Sequence, residues 1–108
     1  MFLEVSQRMT IWWVYVVACD NRLYTGITTD VARRLRQHRS GGSSAARFTR
    51  GACVIELRYS ASVGTRSTAL RAEHRIKRLS RSAKLALIRT APPADQLLQQ
   101  LGLTPTRT

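Results

Sequence analysis

The stretch that decides the fold runs from residue 12 to residue 28 and reads WWVYVVACDNRLYTGIT. Its first part, residues 12–18, is an unbroken series of aromatic, β-branched and small apolar residues, which is typical of a largely buried strand. Residues 19–22, CDNR, have the composition of a tight turn, and strand-forming residues resume over 23–28. The stretch therefore predicts a β-hairpin.

The register of this hairpin decides which side chains share a face. If the turn is centred on residues 20 and 21, Val17 pairs with Tyr24 and Tyr15 pairs with Gly26. Paired residues point to the same side of a sheet, so the two tyrosines would lie diagonally, with open space at Gly26 beside Tyr15. A turn of different length would separate the tyrosines, and both are also compatible with an ordinary amphipathic core.

Helix and strand signals continue after the hairpin. Residues 28–30, TTD, supply an N-cap for a helix over residues 31–39, which should end at the Ser-Gly-Gly of residues 40–42. Residues 54–60 alternate as a third strand does. Ser67 or Thr68 is expected to cap a helix that reaches residue 79, and a shorter helix should follow over residues 80–88.

The order of these elements, β-β-α-β-α-α, predicts an α+β fold with a small three-stranded antiparallel sheet flanked by helices. We expect one domain over residues 11–89, an N-terminal extension over residues 1–10 and a C-terminal tail over residues 90–108. The tail contains prolines, glutamines and a few leucines, and is expected to be frayed or to form a small additional helix.

Charge is the strongest signal in the composition. The chain has 18 Lys and Arg residues against 6 Asp and Glu, a formal net charge of +12, and all but two of the cations are arginine. A guanidinium binds phosphate oxygens through two N–H groups at once, so a polyanion is the expected partner. Arginine abundance could also reflect genomic base composition, but that would not explain so large a surplus. Nucleic acid is therefore the predicted partner.

Membrane insertion and export are not indicated. The longest apolar run, residues 11–19, has the length of a strand and falls short of the roughly 18 residues that a spanning helix needs. Residues 1–10 lack the apolar stretch of a signal peptide. We expect a cytoplasmic protein with no membrane partner.

The first predicted helix directs polar side chains toward the sheet. Leu35 and His38 mark its inward stripe, and Arg34 lies on that stripe one turn before His38. Burying a guanidinium is costly without an anion, which suggests a binding role. In the alternative, Arg34 extends to solvent beside Arg33 and Arg36.

Glu73 is the one acidic residue in the basic segment from residue 66 to residue 84. It borders the apolar stripe that begins with Ala69 and Ala72. An ion pair with Lys77 at i+4 would explain it as a helix-stabilising residue. A carboxylate near gathered phosphates would instead be a ligand for Mg²⁺. Both roles are open at this point.

Four segments together resemble a known family: WVY at residues 13–15, YTG at 24–26, ARRLRQH at 32–38 and LRAE at 70–73. In order and spacing they resemble the motifs of the GIY-YIG nucleases, most closely the small stand-alone bacterial members. The resemblance covers about residues 12–88. It implies a phosphodiesterase that uses one divalent ion, Mg²⁺ or Mn²⁺, bound mainly together with the substrate.

The resemblance also implies roles for individual residues. Tyr24 would be the general base or would orient the attacking water, and Tyr15 would hydrogen-bond water or phosphate. Arg34 would bind the scissile phosphate and stabilise the transition state. His38 would assist proton transfer, and Glu73 would hold the metal.

The remaining cations would grip the nucleic acid, mainly at phosphates and therefore in a salt-dependent manner. We expect DNA to be preferred over RNA. The residues expected to make these contacts are Arg33, Arg36, Arg47, Arg50, Arg71, Arg75, Lys77 and Arg78.

Three departures from the family pattern shape the functional hypothesis. Trp13-Val14 stands in place of Gly-Ile, the only asparagine is Asn21 rather than one on the last helix, and no second DNA-binding domain is evident. The sequence predicts a metal-dependent DNA nuclease with weak sequence preference and a possible structure preference, acting in repair or recombination. The alternatives are a nucleic-acid-binding module with weak or no catalysis, and a subunit that docks onto a larger DNA- or RNA-processing complex through residues 92–108.

Overall fold

The computed structural model describes residues 10–40 and 54–103. Expectations for residues 1–9, for Arg47 and for Arg50 lie outside this range. The described part contains, in chain order, β1 (Trp12–Cys19), β2 (Arg22–Thr28), α1 (Val31–Ser40), β3 (Ile55–Gly64), α2 (Arg66–Lys77), α3 (Arg81–Thr90) and α4 (Ala94–Gln100). The strands form one antiparallel sheet in the order β2-β1-β3. The predicted α+β fold is confirmed.

The β1–β2 hairpin has the predicted register. Tyr15 pairs with Gly26 and Val17 pairs with Tyr24 across a two-residue turn. Asp20 in that turn has a φ of 58°, a left-handed conformation that aspartate tolerates better than most residues. Turn chemistry and the buried strand together fix the register, because a slip by one residue would move every side chain to the other face.

The central strand β1 separates two apolar clusters. On one face Val14 and Val16 pack with residues of β3, α2, α3 and α4, including Ile76, to form the main core. On the opposite face Tyr15 and Val17 pack with Leu35 of α1. One face of the sheet is therefore covered by α2, α3 and α4, and the other by α1 alone among the described elements. The polar side chains that α1 directs toward the sheet lie on this second face.

The sequence misplaced the end of β3 and the start of the next helix. β3 continues to Gly64, where Ala61 and Val63 are buried in the main core. The segment SASVG over residues 60–64 has the composition of a loop, but pairing with β1 and burial of its apolar residues override that preference. The cap of α2 is Thr65, whose hydroxyl accepts a hydrogen bond from the backbone N–H of Thr68.

The segment expected to be a tail contributes to the core. α4 buries Leu97 and Leu98, which are 0% and 3% exposed. The Tyr59 hydroxyl donates a buried hydrogen bond of 2.6 Å to the Pro92 carbonyl, which ties the approach to α4 to the middle of β3. These contacts make residues 92–101 part of the folded unit. None of the described helices has the length and apolar character needed to cross a bilayer.

Candidate active site

A cavity of about 230 Å³ opens between the hairpin, α1 and α2. All five residues that the sequence nominated for catalysis contribute to its wall. The lining residues are Tyr15, Tyr24, Thr25, Gly26, Ile27, Arg34, His38 and Glu73. Three elements distant in sequence therefore bring two phenols, a guanidinium, an imidazole and a carboxylate to one place.

The hairpin positions Tyr15 by a close backbone approach at Gly26. A Cβ built on Gly26 would lie 2.5 Å from the Tyr15 hydroxyl oxygen and 2.7 Å from the ring carbon Cζ. Atoms at such distances overlap, so the phenol occupies the volume that any other side chain at this position would need. The space predicted beside Gly26 is therefore filled by the Tyr15 hydroxyl group.

A hydrogen-bond chain runs through this hydroxyl. Arg34 donates from Nε to the Tyr15 oxygen at 3.4 Å, and the Tyr15 oxygen lies 3.2 Å from His38 Nε2 in a buried contact. The Tyr15 and His38 rings meet edge to face with centroids 6.2 Å apart. Since the phenol accepts from Arg34, its own O–H is suited to donate to an unprotonated Nε2.

The environment of His38 favours its neutral form. The side chain is 3% exposed, and burial, followed by the nearby positive charge of Arg34, lowers the pKa of His38 from its ordinary value of 6.5. A neutral imidazole with its proton on Nδ1 leaves Nε2 as an acceptor for Tyr15. His38 is therefore neutral at neutral pH, with Nε2 available to accept a hydrogen bond from Tyr15.

Arg34 is held at the cavity wall. Besides its bond to Tyr15 it donates from Nη1 to Gln37 Oε1 at 3.1 Å. Arg34 is partly buried, whereas Arg33 and Arg36 are exposed. The alternative in which Arg34 extends to solvent beside them is thereby excluded.

Tyr24 has a neighbour that the sequence did not single out. Arg22 donates from Nη1 to the Tyr24 hydroxyl at 3.5 Å, and this hydrogen bond is the main cause that raises the pKa of Arg22. The two residues stand at i and i+2 on β2 and so share a face. That spacing is the signal that could have identified Arg22.

Glu73 forms the ion pair expected with Lys77, and it also lines the cavity. Its carboxylate lines the cavity and also accepts an ion pair from Lys77 Nζ at 3.2 Å. The glutamate side chain is 21% exposed, while Lys77 is 56% exposed and lies on the solvent side. An exposed pair of this kind contributes little to stability, on the order of 0.5 kcal/mol.

The described lining of the cavity offers one carboxylate, which suits a metal ion whose other ligands are water and substrate oxygens. Within residues 10–40 and 54–103 no group of three or more His, Cys, Asp or Glu residues could hold an ion by itself. Mg²⁺ commonly uses one or two carboxylates and completes its shell with water and substrate phosphate oxygens. Glu73, the one carboxylate among the lining residues, fits that pattern.

The other predicted nucleic-acid contacts divide into two groups. Arg33 and Arg36 are exposed on α1, and Lys77 is next to Glu73. Arg71 and Arg75 each stand two residues from Glu73, about 200° around the helix, so they point away from the cavity.

Arg75 has a structural contact instead. Its Nη1 donates to the Leu101 carbonyl at 2.7 Å, which fastens the end of α4 to α2. Arg78, the C-cap residue of α2, donates its own backbone N–H to carbonyls of that helix and is exposed. Arg33 and Arg36, in contrast, have exposed side chains on the helix that also carries Arg34.

Comparison with protein families gives a match to a model described as the GIY-YIG catalytic domain, over residues 11–86. Among curated relatives, a UPF0213 protein of Citrobacter koseri is 50% identical over 99 residues, 91% of this chain and 96% of the relative. UPF0213 protein YhbQ of Escherichia coli O139:H28 is 47% identical over 94 residues, 86% of this chain and 92% of the relative.

Among solved structures, the solution NMR structure of UPF0213 protein BH0048 from Bacillus halodurans is 34% identical. It covers 87% of this chain and 99% of its own, with a TM-score of 0.49.

Proposed function

Since the chain belongs to the family of GIY-YIG catalytic domains, we propose that it is a divalent-metal-dependent nuclease that hydrolyses DNA phosphodiester bonds. The observation that carries the proposal is the hydrogen-bond chain from Arg34 through Tyr15 to His38 in the wall of the cavity that Glu73 also lines. Burying polar and charged side chains costs free energy, so such a group in one cavity is not explained by core packing.

Arg34 is the proposed phosphate-binding residue. Its bonds to Tyr15 and Gln37 fix the guanidinium before substrate arrives, so little reorganisation is needed when negative charge develops on the phosphoryl oxygens. Loss of one such preorganised donor typically costs about 100- to 1000-fold in rate.

Tyr15 and His38 are the proposed route for the proton of the attacking water. The water gives its proton to the Tyr15 oxygen while Tyr15 gives its own proton to His38 Nε2, so the phenol ends neutral and the imidazole ends charged. Tyr24, at the same wall, orients the water or a phosphate oxygen. The contacts of Tyr15 thus favour it over Tyr24 as the tyrosine that handles the proton.

Glu73 is the proposed metal-binding residue, with Mg²⁺ or Mn²⁺ as the ion. A bound divalent ion supplies positive charge that polarises the phosphoryl group. Glu73 lines the same cavity as Tyr15 and Arg34, and Lys77 pairs with its carboxylate in the absence of an ion. Lys77 is exposed, so it can leave the ion pair at small cost.

The substrate is proposed to be DNA cut with weak sequence preference and with preference for branched, nicked or single-stranded forms, as arise in repair and recombination. Exposed arginines on α1 would contact phosphates, which carry no sequence information. Binding is therefore expected to weaken steeply with salt.

The decisive experiment is cleavage of labelled duplex, nicked, flapped, branched and single-stranded DNA, and of RNA, with Mg²⁺, Mn²⁺ or EDTA. Wild type is compared with Arg34→Ala and Glu73→Gln. The matched controls are Arg89→Ala, which removes an exposed cation on α3, and Glu56→Gln, which removes an exposed carboxylate on β3.

Products that require metal, disappear in the two cavity variants and persist in the two controls would support the proposal. Equal activity in wild type and Arg34→Ala would assign the cleavage to a contaminant. Salt-dependent binding without products under any metal would instead favour the module that binds nucleic acid without cutting it. Cleavage confined to RNA would overturn the choice of DNA.

A further inference from the structure

A second, more open groove lies beside the candidate active site, on the other side of α1. It has a volume of about 520 Å³ and runs between the N-terminal part of α1 and the β1–β3 half of the sheet. Its apolar wall includes Trp13, Leu35 and Leu57, and its polar groups include Asp30 and Ser60. Leu57 is 40% exposed and presents an apolar surface to the groove.

The groove is adjacent to the cavity but has no lining residue in common with it. Trp13 and Tyr15 project from the same face of β1 and are separated by about 7 Å along the strand. On α1, Arg34 lines the cavity and the next residue, Leu35, lines the groove. A nucleic-acid strand held by a phosphate at Arg34 would therefore continue into the neighbouring groove that Trp13 lines.

The two neighbouring tryptophans differ in what their rings contact. Trp12 is on the main-core face, where the Arg66 guanidinium lies 5.5 Å from its ring centroid as an internal cation–π partner. Trp13 is on the opposite face, partly exposed in the groove wall. An indole presented in this way is a stacking surface for a flat ligand.

The charges around the groove favour a base over a phosphate inside it. Asp30 lines the groove while its Oδ1 accepts the backbone N–H of Arg33, and the negative charge of this carboxylate disfavours a phosphate in the groove. Arg36 is exposed one turn beyond Ala32, which lines the groove, so a guanidinium is available for a phosphate outside it. An aromatic surface beside a cation is the usual arrangement in proteins that bind single strands.

We propose that this groove binds an unpaired nucleobase, stacked on Trp13, of a single-stranded or frayed strand whose phosphate is held at Arg34. The proposal rests on the nuclease function and deepens it, because bases in an intact duplex are already stacked and cannot enter. It specifies a substrate that contains an unpaired segment next to the cleaved bond.

The experiment uses the intrinsic fluorescence of the only two tryptophans in the chain. The Trp12→Phe variant reports on Trp13 alone, and the Trp13→Phe variant reports on Trp12 alone. Each is titrated in EDTA with a short oligothymidylate and with an abasic oligomer of equal length, which has the same phosphates and no bases. We expect oligothymidylate to quench Trp13 and leave Trp12 unchanged, and the abasic oligomer to quench neither.

Affinity provides the second readout. Loss of one base–aromatic stack should weaken oligothymidylate binding about 5- to 150-fold in Trp13→Ala, with little change for the abasic oligomer. Leu57→Ser alters the same sheet wall of the groove at an exposed position on β3, and it should act in the same direction if Trp13→Ala fails to fold. Thermal unfolding verifies that each variant is native.

Equal quenching by the base-containing and abasic oligomers would overturn the proposal, and so would quenching of Trp12 alone or no response of Trp13. Because binding is measured without metal, it does not depend on cleavage. Quenching of Trp13 without any nuclease activity would support the base-binding site and contradict the nuclease function. Cleavage without quenching of Trp13 would support the nuclease function and contradict the base-binding site.

Discussion

The contact between Gly26 and Tyr15 leads to a sharp prediction. Gly26→Ala would place a methyl group 2.5 Å from the Tyr15 hydroxyl, which must retreat by about 0.9 Å to reach the ordinary contact distance of 3.4 Å. That movement strains the bonds of the hydroxyl to His38 and Arg34, now 3.2 and 3.4 Å long. Overpacking of this kind costs about 1–3 kcal/mol, and the weakened bonds add to it.

We expect Gly26→Ala to lower the free energy of unfolding by roughly 2 kcal/mol and the midpoint of thermal unfolding by on the order of 10 °C. Cleavage should fall by about 100-fold at temperatures where the variant is folded, since a misplacement near 1 Å has that typical cost. Urea unfolding and single-turnover cleavage measure the two quantities separately.

Two further variants separate the causes. Gly64→Ala adds a methyl group that contacts nothing within 4 Å but has a φ of 100°, so it should destabilise the fold without changing the cleavage rate of folded protein. Tyr15→Phe removes the atom closest to the new methyl group, and should make Gly26→Ala less costly to stability than in wild type. If Gly26→Ala matches wild type in stability and rate, the phenol does not occupy the position described.

Three other predictions concern pH and the C-terminal helix. His38 has a folded-state pKa below the 6.5 of an unfolded chain, so the free energy of unfolding should decrease as pH falls below 6.5. His38→Gln should flatten this dependence in pH-resolved urea unfolding, and an unchanged dependence in the variant would contradict the prediction. Tyr59→Phe should cost about 1–2 kcal/mol because it leaves the buried Pro92 carbonyl without its donor; burial raises the pKa of Tyr59 to about 12, so wild type should lose stability between pH 10 and 12 and the variant should not. Leu97→Ala should cost about 2–5 kcal/mol by thermal unfolding, since its side chain is fully buried; an effect below 0.5 kcal/mol would show that α4 is a detachable tail.

The hairpin register and the face that Arg34 and His38 occupy could be predicted because local chemistry specifies them, whereas the choice of Glu73 as metal ligand and all the catalytic roles came from the resemblance to the GIY-YIG motifs. A buried strand, a two-residue turn and a second strand leave one register that keeps Tyr15 and Tyr24 on a common face. Helical periodicity then directs Arg34 and His38 to that face. In each case the deciding residues lie within a few positions of one another.

Long-range contacts explain what the sequence did not reveal. The strand character of residues 60–64 comes from pairing with β1, and the burial of α4 comes from contacts with β3 and α2. The bond from Arg75 to the Leu101 carbonyl joins two helices, and nothing near Arg75 in sequence distinguishes it from the exposed arginines of the same helix. The net positive charge indicated a nucleic-acid partner, but it could not show which arginines and lysines contact that partner.

The division of β1 between two clusters has a consequence for how the strand tolerates variation. In a saturation library scored for abundance and for cleavage, Val14 and Val16 should be restricted in both scores, because their loss unfolds the protein. Tyr15, which carries the hydroxyl in the cavity wall, should accept phenylalanine for abundance while failing for cleavage. The two scores should therefore differ strongly at Tyr15 and little at its neighbours Val14 and Val16, which would identify from genetics alone the face of β1 that carries the cavity hydroxyl.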